Sequence, residues 1–231
     1  ISSGSGSSKS SGNMVIGTNN GGSDGVSGHL LLSSGTSSHG KSGDIIVASG
    51  EGTSGSGGNM SIVVGRGSND TGGSISLNAG TSSGSDAGGN VSLSTGRGKD
   101  SSSGLLKIAT ENAGGDGLSG SLIVSSGTTS KGSSGNMTLI SGTASSGGGG
   151  GVSIVVGTGA TASGGKLVMN AGSSGDDSGG YVSLLSGSSS SQSSGDFKIQ
   201  TLHGTNGMSG SLKIESGASS DGGSGAFAMH S

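Results

Sequence analysis

Apolar residues in this chain come in pairs separated by one position. Each pair sits inside a short unit of the form Gly-x-apolar-x-apolar-x-small-Gly, as in GNVSLSTG from Gly89 and GSLIVSSG from Gly120. The unit-opening glycines are Gly12, Gly28, Gly43, Gly58, Gly73, Gly89, Gly104, Gly120, Gly135, Gly150, Gly165, Gly180, Gly195, Gly210 and Gly225, and consecutive ones lie 15 or 16 residues apart. The third and fifth places hold Met14 and Ile16, Leu30 and Leu32, Ile45 and Val47, Met60 and Ile62, Ile75 and Leu77, Val91 and Leu93, Leu106 and Ile108, Leu122 and Val124. The series runs on through Met137 and Leu139, Val152 and Ile154, Leu167 and Met169, Val182 and Leu184, Phe197 and Ile199, Leu212 and Ile214, Phe227 and Met229. No polar residue takes either place, in a chain only 26% apolar. Side chains two positions apart share a face of an extended strand, whereas a helical face needs a spacing of three or four. The pattern therefore predicts one strand per unit.

The seventh place, on the same face, is small: Thr18, Ser34, Ser49, Val64, Ala79, Thr95, Thr110 and Ser126 hold it in the first eight units. A glycine usually follows, as expected where the backbone turns through positive φ. The rest of each unit, such as TSSGSDA from Thr81, is mostly Gly, Ser, Thr and Asp and is expected to carry the chain back to the start of the next strand. Successive strands would then stack in parallel at roughly 4.8 Å per coil. The expected fold is all-β: a parallel β-solenoid, or β-helix, of about fifteen stacked coils of about 15 residues with a flattened, two-sided cross-section. It is expected to run as one continuous body over 1–231.

A longer period overlies the short one. IVVG at Ile62 recurs at Ile154, NAG at Asn78 recurs at Asn170, and ATENAGGDGLSGSLIVSSG from Ala109 echoes GTNNGGSDGVSGHLLLSSG from Gly17. Six units thus make a superrepeat of about 92 residues, dividing the chain into 12–103, 104–194 and a partial 195–231. Every sixth unit has Asn19, Glu111 or Leu202 at its eighth place in place of glycine, and Val26, Leu118 or Met208 two residues before the next opening glycine. Lateral contact with another chain is one reading of these six residues. Filling of an internal gap, or a trace of duplication, is the other.

Composition changes the picture by removing alternatives. Glycine numbers 57 of 231 residues, aromatics are 1%, and there is no proline or cysteine, so disulfides, thiolate metal sites and thiol nucleophiles are excluded. A net charge of -3 without basic runs argues against nucleic acid as a partner. No apolar run reaches bilayer length, so no membrane span is expected. The chain begins inside a coil at Ile1 and ends inside one at Ser231, which suggests a longer repeat protein or ends that abut identical copies.

Several short motifs resemble chemistry. GTSSHGKS, Gly35 to Ser42, fits the phosphate-loop pattern, but that pattern requires a following helix and GDIIVASG reads as another strand unit. His29, His39, His203 and His230 share no ligand spacing, and Asp176 and Asp177 form an isolated pair. GGSDGV and GGDGL, from Gly21 and Gly114, are faintly similar to calcium-binding nonapeptide repeats without the nine-residue step. Neither cofactor nor metal site nor catalytic group is expected. Asn59, Asn69, Asn90 and Asn136 head glycosylation sequons, about as many as chance gives in so Ser/Thr-rich a chain.

With its GGNVSLSTG-like units over nearly the whole length, the chain resembles Gly/Ser-rich tandem-repeat β-solenoid proteins of extracellular fibres and surface appendages. That resemblance implies a non-enzymatic structural protein at or outside the cell surface, forming a rigid rod, filament or fibre with copies of itself, with glycans as further candidate partners. The main alternative is an ice-binding solenoid. Its regular Thr ladder is missing, since Val15, Leu31, Ile46, Ser61, Ser76, Ser92 and Lys107 occupy equivalent outward places. An adhesin or carbohydrate-binding surface is the third reading, and a polysaccharide-cleaving enzyme would need clustered carboxylates that the sequence lacks.

Overall fold

The structure, a computed structural model, describes residues 2–7, 10–68 and 71–230. The chain divides into two compact units, Ile1–Gly120 and Ser121–Ser231. Within each, the same local construction repeats: an eight-residue segment without turn or bend, then a loop with a bend near its middle, as at 53–55 and 83–86 in the first unit and 145–147 and 175–177 in the second.

Nine of the loops close on themselves by the same backbone bond. The amide of an opening glycine donates to the carbonyl of the glycine that ended the preceding segment. In the first unit these bonds run from Gly12 to Gly4 at 3.1 Å, Gly58 to Gly50 at 3.5 Å, Gly73 to Gly65 at 3.1 Å, Gly89 to Gly80 at 2.8 Å and Gly104 to Gly96 at 3.0 Å. In the second they run from Gly150 to Gly142 at 3.1 Å, Gly165 to Gly157 at 3.0 Å, Gly180 to Gly172 at 2.8 Å and Gly195 to Gly187 at 2.9 Å. A seven- or eight-residue excursion whose two ends meet is a small Ω-loop.

This geometry overturns the expected all-β parallel solenoid. Among the described residues there is no β-strand and no helix, and no ladder joins one segment to another. In a solenoid coil, Gly89 would lie beside Gly73, roughly 23 Å from Gly80 at the far end of an extended eight-residue strand. Instead Gly89 is hydrogen-bonded to Gly80, so the loop returns to the point where it left rather than to the start of the previous segment. Stacked coils and a β-helix cannot form from one chain traced in this way. The loop's own polar residues favour the closure. Ser189 Oγ accepts from the amides of Ser191 at 3.3 Å and Gln192 at 2.9 Å, Ser174 Oγ accepts from Asp177 at 3.0 Å, and the Thr129 hydroxyl donates to the Lys131 carbonyl at 2.8 Å. Such short Ser and Thr bonds make tight turns.

The neck of each loop explains two sequence rules at once. Where the opening glycine meets the end of the preceding segment, its missing Cβ leaves room for the seventh-place side chain. A Cβ built on Gly58 would lie 3.3 Å from Ser49 Cβ, on Gly104 3.3 Å from Thr95 Cβ, and on Gly150 3.3 Å from Ser141 Cβ. At Gly73 and Gly165 it would fall well inside contact distance of Cγ1 of Val64 and Val156. The expectation that the eighth-place glycine serves a positive φ is also corrected. Among the described residues only Gly132, in a loop, has one, at 101°. Steric room at the first place, rather than backbone handedness at the eighth, fixes the repeat.

Nothing among the described residues is fully buried. The few half-buried ones are Ala79, Gly98, Ser141, Val156 and Gly204. Three of them are seventh-place neck residues, and the other two are loop glycines covered by nearby carbonyls, as Gly98 is by those of Ser101 and Ser102. The packing that exists within a chain is therefore at the necks.

Gly73→Ala is expected to lower the stability of the folded protein by about 1–3 kcal/mol through overpacking against Val64. Adding Val64→Ala should recover most of the loss. Gly80→Ala, with nothing within 4 Å of its would-be Cβ, should be neutral or slightly stabilising. Thermal midpoints at one fixed protein concentration test this ordering.

Candidate interaction surface

The alternation of side chains survives in the structure even though strand pairing does not. Third- and fifth-place residues are the more sheltered, with Ile75 56% and Leu77 70% exposed, while apolar residues on the opposite face stand further out, as Val15 does at 91%. One face of every segment thus carries an aliphatic pair that its own chain shelters only in part. The chain presents 22625 Å² to solvent at a mass of 21.2 kDa, where a compact monomer of that mass presents about 9,000 Å² and an unfolded chain about 31,000 Å². Exposed apolar side chains that recur in this way at every segment mark an interaction surface.

Two of the three units that break the local rules close their neck differently. Thr18 Oγ1 donates to the Gly28 carbonyl at 3.0 Å and Thr110 Oγ1 to the Gly120 carbonyl at 3.1 Å, where nine other necks have the glycine amide-to-carbonyl bond. Their longer loops turn at Gly22–Gly25 and Gly114–Gly117, each closed by an amide-to-carbonyl bond, at 3.2 and 3.3 Å respectively. These turns are the two stretches faintly similar to calcium loops. Val26, Leu118 and Met208 project from the irregular loops at 92%, 99% and 99% exposure. They do not fill an internal gap. Asn19, Glu111 and Leu202 are exposed too.

The remaining sequence-derived candidates are scattered over the surface. Asn59, Asn90 and Asn136 are exposed, and Asn69 lies outside the described residues. Lys41 of the phosphate-loop match pairs with Asp44 at 2.9 Å, and the segment that follows it is not helical. Among the described residues no group of three or more His, Cys, Asp or Glu could hold a metal ion, and no helix is long and apolar enough to cross a membrane. No pocket is present among the described residues either.

The contact of the opening glycine with the seventh place was missed from the sequence. Its signal is the pairing of each opening glycine with a small residue nine or ten positions earlier. No protein-family model, curated protein or solved structure matches this chain.

Thr110→Val removes the neck hydroxyl and is expected to cost roughly 0.5–1.5 kcal/mol. Thr110→Ser, which keeps the donor, should cost distinctly less. The difference between their thermal midpoints measures the bond.

Proposed function

We propose that this chain is a structural protein whose copies associate into a rod, filament or fibre at or outside the cell surface. One observation carries the proposal. Fifteen apolar pairs, all but two of them wholly aliphatic, recur at 15- or 16-residue steps, and not one of their side chains is buried by the chain itself. A soluble protein does not keep so regular an apolar stripe uncovered, and a stripe that repeats along the chain suits a partner that repeats in the same way. The compositional likeness to extracellular fibre proteins supports the location, and Asn59, Asn90 and Asn136 are the candidate attachment sites for glycans as secondary partners. Val26, Leu118 and Met208 suit lateral contacts between finished assemblies, since they project from loops and recur only every sixth unit.

Sedimentation and electron microscopy test this reading. The wild-type chain is expected to form elongated assemblies. Ile75→Asp with Leu77→Asp should weaken association by roughly 100- to 10,000-fold, because burying an aliphatic pair is worth about 3–6 kcal/mol. Leu118→Asp with Met208→Asp should leave assembly intact and reduce only side-by-side bundling. A wild-type chain that stays monomeric at every concentration contradicts the proposal, as does measurable thermal hysteresis in the monomer.

A further inference from the structure

The edges of the segments, distinct from their apolar face, identify the partner and its register. Among the described residues the backbone bonds are loop necks and two turns, and no segment is paired with another of its own chain. Each eight-residue segment therefore offers two unpaired edges in addition to its half-exposed aliphatic pair. Unpaired extended backbone is a template for strand addition from another chain, and burying it unpaired is costly.

We infer, on the reading of the chain as self-associating, that the segments pair edge to edge with the same segments of other copies, parallel and in register, so that the aliphatic pairs of at least three chains form one shared core. This differs from the overturned single-chain solenoid, because no chain stacks on itself. Three observations fix the terms. Two open edges per segment require two neighbours, and the smallest closed set in which each chain has two different neighbours is three. The repeat fixes the direction and register. Units resemble one another most closely at six-unit intervals, with the irregular loops around Val26, Leu118 and Met208 as markers. Parallel pairing without stagger sets each irregular loop beside its equivalent and covers every aliphatic pair. A one-unit stagger sets long loops beside short ones, and a six-unit stagger leaves six pairs uncovered at each end. The surface is also sufficient. The chain exposes 22625 Å², more than 10,000 Å² above a compact monomer, where a stable interface needs about 1,600 Å² in total. A net charge of only -3 puts little repulsion between identical chains in register.

Cysteine cross-linking tests this on the full chain, which contains no cysteine of its own. Ser76→Cys and Ser92→Cys alter equivalent outward places in neighbouring units, leaving the aliphatic pairs untouched. Parallel neighbours in register hold identical residues roughly 4.8 Å apart, within disulfide reach. With diamide as oxidant, each variant alone should give covalent dimers, drawn from assemblies that sediment as three or more chains. Co-assembled mixtures of the two should give almost none joining position 76 to position 92. Assemblies that form but yield mixed cross-links, no cross-links, or a mass of two chains overturn the in-register arrangement while leaving the structural role standing. A chain that is monomeric throughout overturns both.

Discussion

An extended backbone with two aliphatic side chains in every fifteen residues cannot shelter those side chains by itself. That constraint governs the rest of this molecule. One face of each segment gathers its apolar residues, as period-two patterning requires, yet the glycine- and serine-rich loops contribute nothing that could lie over them. Ile75, Leu77 and their counterparts are left half exposed. Conformational entropy opposes any fold at every residue, and burial, the main term that offsets it, is here deferred until other surfaces arrive. On the proposed self-association, folding and association are one process, and the stability of a single chain is inseparable from its concentration.

What one chain does build is a string of closed necks. The opening glycine and the small seventh-place residue meet, and a single bond such as Gly89 to Gly80 pins the loop between them. Each neck fixes where one segment ends and the next begins without spending an apolar residue. In two of the irregular units a threonine hydroxyl takes over the bond, from Thr18 to Gly28 and from Thr110 to Gly120. Val26 and Leu118 in these loops stand in solvent. The same device that keeps the repeat regular also creates, every sixth unit, a marked position along the chain.

The strand-like face of every unit was legible in the sequence because it depends only on neighbouring residues: Val91 and Leu93 lie on one side whatever else the chain does. The unit boundaries were legible for the same reason. The path of the loop was not, because a stretch such as TSSGSDA can either cross to a second wall or fold back on itself, and composition does not distinguish the two. The neck contact decides between them, and it joins residues eight to ten apart that were read as lying at opposite ends of a coil. The irregular loops at Val26, Leu118 and Met208 were visible as exceptions, and only their exposure separates outward projection from gap filling.

The central claim is that the aliphatic face is covered by other copies and not by the chain's own turns. Amide hydrogen exchange in segments such as 89–96 and 180–187, followed across a dilution series, tests it most directly. Strong protection in concentrated protein that disappears as the assembly dissociates is the predicted result. Protection that stays high in a monomer at the lowest concentration would contradict the account, because the chain would then be pairing those segments within itself.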